Sequence, residues 1–133
     1  MQIQIAVVCD AATDYFGKLN LLGAFDSIQV SQLPAIHPHC SIALRMTFNK
    51  VEEGAHLLRF SFVDADGKSI MRSIEIPFQV QVPEDSHFIT TNFTASIQQL
   101  RFERAGNYSI DVAIDGRQEI GIPLVVKHVP AKL

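Results

Sequence analysis

The residues best equipped for chemistry form one short run, His37-Pro38-His39-Cys40. Two histidines spaced two apart in an extended segment point the same way, and the adjacent thiol could join them around zinc. Structural zinc takes four ligands, however, and no second Cys/His pair is present; His56, His87 and His128 are isolated. The run reads better as a proline-stiffened loop entering a strand, with Cys40 as its first inward residue. No metal or other cofactor is expected. Asp64-Ala65-Asp66-Gly67 has the acidic opening of a calcium loop, and Glu75 falls at the twelfth place. Lys68 stands where a third oxygen ligand belongs and Ser69 replaces the required glycine, so this segment reads as a turn.

Carboxylates and nucleophiles give no stronger signal. Asp10, Asp14 and Asp26 would approach one another if the first two strands paired, and paired carboxylates can divide acid and base roles. Asp10 and Asp14 read more simply as Asx-type turn residues. Cys9 alternates with Ile5 and Val7, which makes it an inert buried thiol. The seven glycines are dispersed, so no phosphate-cradling loop exists. No catalytic residue is expected. A loop-end cleft joining Asp14, Tyr15, Phe16, His37 and His39 would offer polar and aromatic contacts to a sugar or peptide.

The elements that would position these groups follow a two-residue rhythm. Ile3, Ile5, Val7 and Cys9 share one face of a first strand. Asp10 to Lys18 reads as a polar loop, and Leu19 to Val30 as one strand apolar on both faces or bent at Gly23. Gln32 to His39 reads as a loop. Cys40, Ile42, Leu44, Met46 and Phe48 alternate in a third strand, and Leu58, Phe60 and Phe62 in a fourth. Asp66-Gly67 and Asp115-Gly116 are hairpin-turn signals. Ile70, Ile74, Ile76, Phe78, Val80 and Val82 hold one phase, with Pro77 marking an edge or a break. Phe93, Ala95 and Ile97 are followed by Leu100 and Phe102 out of phase, which predicts a bulge or change of face near Gln98-Gln99. Two further strands carry Tyr108, Ile110, Val112 and Ile114, then Ile120, Ile122, Leu124 and Val126.

About eight strands without any helical period predict an all-β fold, an antiparallel β-sandwich occupying one domain over residues 1–133. Of the 133 residues, 47% are hydrophobic and 19% charged, a globular composition. The net charge of −3 argues against nucleic acid and against a polybasic membrane contact. No apolar stretch approaches the ~18 residues that span a bilayer. With no leader-like start and two cysteines read as reduced thiols, the chain is expected in the cytoplasm.

Two resemblances add to this. Leu100, Gly106 and Tyr108, followed by alternating apolar residues and a hairpin, resemble the tyrosine corner of immunoglobulin-like folds, although the chain has no Trp. The runs Asp10-Ala11-Ala12 and Gly17-Lys18-Leu19-Asn20-Leu21-Leu22-Gly23-Ala24-Phe25-Asp26, followed by Pro34 and His37-Pro38, resemble an uncharacterised family of small bacterial proteins. Its members share A-D-A-A and G-K-L-N-x-L-G-A-F-D runs. The likeness is strongest over residues 5–48 and looser through Asp66-Gly67. It implies a bacterial, intracellular protein and transfers no functional residue.

The functional expectation is a non-enzymatic interaction module that associates with itself, as a homo-oligomer, or with a protein partner. Its motive is the two-faced apolarity of Leu19–Val30, with Val63 and Val125 on nominally outer faces, since exposed apolar patches mark interfaces. The ligand-binding module comes second. A metal-dependent enzyme at His37, His39 and Cys40 comes third.

Overall fold

The computed structural model describes residues 1–131, so the last two residues of the expected domain lie outside the description. Among the described residues nine strands occur: β1 (Gln2–Tyr15), β2 (Lys18–Phe25), β3 (Ser27–Val30), β4 (Ala35–Asn49), β5 (Gly54–Asp64), β6 (Ile74–Val80), β7 (Phe88–Phe102), β8 (Gly106–Ile114) and β9 (Arg117–His128). They make a four-stranded sheet in the order β2-β1-β4-β7 and a five-stranded sheet in the order β3-β9-β8-β5-β6. One 3-10 turn, Lys50–Glu52, links β4 to β5. No helix among the described residues is long and apolar enough to cross a membrane.

The alternating residues meet as the rhythm requires. Ile42, Leu44, Met46 and Phe48 of β4 join Leu58, Phe60 and Phe62 of β5 and Ile110, Val112, Ile122 and Leu124 of β8 and β9 in one buried cluster. Two sheets sharing that cluster form a sandwich-like all-β molecule. Pro77 sits on β6, the outer strand of its sheet, where a missing N–H costs no ladder bond. Asp64 Oδ1 accepts from the backbone N–H groups of Asp66 and Lys68, both at 2.9 Å, so this carboxylate caps a turn.

Several expectations need correction. The sheets are not wholly antiparallel, because β3 runs parallel to β9. Leu19–Val30 is two strands in different sheets, broken at Asp26, and this raises the count from eight to nine. Its double-faced apolarity arises because β2 covers one sheet while β3 inserts Ile28 into the core. The segment from Asp10 to Tyr15 is strand, with only Phe16-Gly17 left as a turn. Its polarity comes from solvent over a paired ladder. Asp10 and Asp14 are therefore not turn residues. His37-Pro38-His39 likewise lies within β4, which pairs with β7 from Ala35 onward.

A register shift between Ile3 and Ile5 alters the first strand. Gln4 is the extra residue, so Ile3, Ala6 and Val8 face the core, and Ile5, Val7 and Cys9 face outward. The change of face near Gln99 is present, with Gln99 at φ 57°. Leu100 and Phe102 are buried beyond it. β4 turns with its partner, so His37 opposite Leu100 comes to the inner side while Cys40 opposite Ile97 stays there.

Candidate functional site

The hairpin β1–β2 does not continue in the plane of its sheet. β1 pairs with β4 only as far as Cys9 opposite Ser41. Beyond that point the hairpin turns back across the outer face, and its tip reaches the middle of the sheet. There Arg45 Nη1 donates to the Gly17 carbonyl at 3.1 Å and to Asn92 Oδ1 at 2.9 Å, while Arg45 Nε donates to Gln4 Oε1 at 3.0 Å. Asn92 Nδ2 in turn reaches Asp14 Oδ1 at 2.8 Å and the Gly17 carbonyl at 3.1 Å. Arg45 and Asn92 are cross-strand partners on β4 and β7, so one polar pair holds the whole tip.

Two local devices permit this geometry. The tip Phe16-Gly17 has φ of 49° and 78°, the pattern of a tight I′ turn, and Gly accepts the second of these without steric cost. At the bend Gly23 has φ 71°, and the Asp10 carboxylate fills the space a Cβ would need. Beneath the hairpin, Cys9, Ser41 and Ala43 are buried although they face away from the core. Strand alternation turns Ala12, Asp14, Leu19 and Leu21 toward the sheet and Tyr15 and Leu22 away from it. Tyr15 is 64% exposed, Phe16 87% and Leu22 73%, and the two aromatic rings meet edge to face at 4.6 Å. The result is a fixed support whose outward side carries Tyr15 and Leu22 among Thr13, Lys18 and Asn20, with Phe16 at its tip.

The residues expected to share a ligand cleft separate into two places. Asp14, Tyr15 and Phe16 belong to the hairpin tip over Arg45. His37 and His39 lie at the start of β4, six or more residues away, about 20 Å along a strand. His37 lines a shallow cleft of about 420 Å³ with Asp10, Gly23, Phe25, Ile28 and Gln29. Its ring packs on Phe25 at 5.6 Å, and its Nε2 is buried without a partner. His39 is exposed, and Cys40 is buried. Burial, with Cys9 and Asp10 nearby, pushes the Cys40 thiol up to about 11. Burial also raises Cys9, helped by the Asp10 carboxylate. Neither thiol is a thiolate at neutral pH, the form that attacks or binds metal. Among the described residues no three His, Cys, Asp or Glu side chains are placed to hold a metal ion. Asp10 and Asp14, four residues apart on β1, face different surroundings and form no acid–base pair.

Sequence reading missed a pair that the fold assembles. His56 Nδ1 lies 2.6 Å from Asp115 Oδ2, and its Nε2 lies 2.6 Å from the Glu52 carbonyl oxygen. Both partners are acceptors, so the two contacts are satisfied together only in the imidazolium form, with both ring nitrogens donating. Its pKa is raised by the bond to Glu52 and then by that to Asp115, while the bond from His56 holds Asp115 low. Asp115 Oδ1 also accepts from the Leu57 N–H at 2.8 Å. The ring stacks with Phe48 and Phe78. A His–Asp pair can serve as a general base only with a free nitrogen lone pair. In the imidazolium form none is left, and the pair ties the β8–β9 turn to the start of β5. No sequence signal links positions 56 and 115, because Asp115-Gly116 is complete as a turn motif by itself.

No curated protein matches the chain. A family model does match it over residues 4–127, a span that takes in both sheets, the folded-back hairpin and the His56–Asp115 pair, and the chain therefore belongs to DUF6941, a family of unknown function.

Proposed function

We propose that the protein is a non-enzymatic association module, immunoglobulin-like in topology, that binds through the outward side of the folded-back hairpin. One observation carries the reading. Large apolar side chains, Tyr15, Phe16 and Leu22, are solvent-exposed on an element whose backbone is held by Arg45 and Asn92. A loose loop could hide such residues by collapse, but a pinned hairpin keeps them in water until another surface covers them. Pre-ordering also lowers the entropy that a partner must overcome.

The immunoglobulin-like reading is supported by β8 lying between β9 and β5, by β3 running parallel beside β9, and by Tyr108. The Tyr108 hydroxyl donates to the Arg104 carbonyl at 2.6 Å, at the start of its strand. A reducing, cytoplasmic location fits two buried free cysteines. The test places a photo-reactive amino acid at Phe16 or, as a control, at Arg117 in the cell that makes the protein. Adducts specific to position 16 and weakened by Leu22→Asp are expected. Equal labelling at both positions, or none, contradicts the reading.

A second reading is a small-ligand module, and the unpartnered His37 Nε2 beside the Asp10 cleft favours it. A ligand with a polar group aimed at that nitrogen would raise the melting temperature of the native protein and not of His37→Phe. Equal shifts in both proteins would remove this reading.

A further inference from the structure

We infer that the protein forms a two-fold symmetric dimer in which β7 pairs antiparallel with β7 of a second copy, beneath the two hairpin tips. This rests on the reading of the hairpin as an association surface and names its occupant. The first observation is the state of the sheet edges. Of the four edge strands, β3 has only four residues, β6 carries Pro77, and β2 bends at Gly23. Short length, proline and bends are the usual protections against strand addition. β7 has none along its first part. It runs for 15 residues without Pro, Gly or Lys, and Phe88–Gln98 carries no charge. Among the described residues β7 pairs with β4 alone, and no other backbone hydrogen bond reaches it.

The second observation is charge. Glu84 and Asp85 lie in the turn before β7, while Arg101, 2.7 Å from Glu103, and Arg104, 4.0 Å from Asp64, stand at its other end, both exposed. An antiparallel self-pair sets the acidic end of one strand against the basic end of the other, and does so twice. An axis normal to the sheet sets a residue opposite its own copy, so pairing Asp85 with Arg101, or Glu84 with Arg104, centres it on Phe93 or on Thr94. The third observation is the place of the hairpin tip, one or two residues from that centre. The hairpin tip is bonded to Asn92. A two-fold axis normal to the sheet keeps both outer faces on one side, so Tyr15 and Phe16 of the two copies meet above it. Main-chain bonds, end charges and an apolar cover thus share one centre.

The mass of the native protein, measured by sedimentation across a wide concentration range, should rise to twice 14.8 kDa. The charge-reversed variants Glu84→Lys/Asp85→Lys and Arg101→Glu/Arg104→Glu alter exposed side chains and leave the core intact. Each alone should dimerise at least about tenfold more weakly, because like charges then face each other at both ends. Mixed together they should form a heterodimer with restored affinity, since every end contact again joins opposite charges. A single-chain mass at every concentration overturns the dimer. Dimers indifferent to the charge reversals overturn the β7 pairing. In either case, adducts with a different protein at position 16 would leave the broader association reading standing.

Discussion

Both neighbours of His56 can only accept a proton, which favours the charged ring, and the consequence is a pH-dependent contribution to folding. Its pKa is raised in the folded state, so the stabilisation is complete below the ordinary histidine value of 6.5 and is lost as pH rises through the higher folded value. Asp115 is lowered, so its share is present above the ordinary 3.8 and is lost as pH falls through the lower folded value. The pair stabilises most between those limits. Asp115 is half exposed, which limits the worth of the bond to about 1 kcal/mol. The urea midpoint of His56→Gln should fall below that of the native protein at about pH 5 and approach it by about pH 9. A gap independent of pH would show that His56 acts by packing against Phe48 and Phe78 alone. Gly23 gives a second test at this scale. Gly23→Ala adds a methyl where the Asp10 carboxylate lies and forces an L-residue to φ 71°, and should cost about 1–2 kcal/mol. Adding Asp10→Ala should recover part of this, as the clash goes and the backbone strain stays.

The folded-back hairpin is the element that joins architecture to the proposed function, and Cys9 reports on it. The thiol is fully buried although it faces away from the core, within 3.4 Å of the Ala11 carbonyl. If the hairpin is its cover, Arg45→Ala should free the tip and expose the thiol. Labelling of Cys9 by a thiol reagent, in a Cys40→Ala background, should then quicken by about tenfold or more, consistent with losing charge-assisted bonds worth about 1.5–3 kcal/mol. Unchanged labelling would mean that the hairpin is held by other contacts. The strands themselves were largely legible from sequence, because Cys40–Phe48 and Leu58–Phe62 have one face each in the core. The hairpin was legible only as a polar loop, Asp10 to Lys18, between two strands. Alternation reports which side of a strand is apolar, and it cannot report that Asp10–Tyr15, polar toward water, remains paired and lies over the sheet. For the same reason Leu19–Val30 looked like one strand, since both its halves are apolar whichever sheet each joins.

At the scale of the molecule, two sheets of four and five strands close on one cluster, and Tyr108 ties the entry of β8 to the preceding chain. Tyr108→Phe should keep the ring contact with Phe102 and lose about 1 kcal/mol with the hydroxyl bond; an unchanged unfolding midpoint would show that this corner adds nothing to stability. The core explains why the molecule holds together and leaves few inward side chains for chemistry. What remains distinctive is at the rim, in an aromatic tip fixed above an unprotected strand. Amide hydrogen exchange along β7, compared between dilute and concentrated protein, tests that arrangement most directly. Alternate amides of Phe88–Gln98, those pointing away from β4, should become protected as concentration rises. Exchange at those amides that stays fast at every concentration would contradict the arrangement.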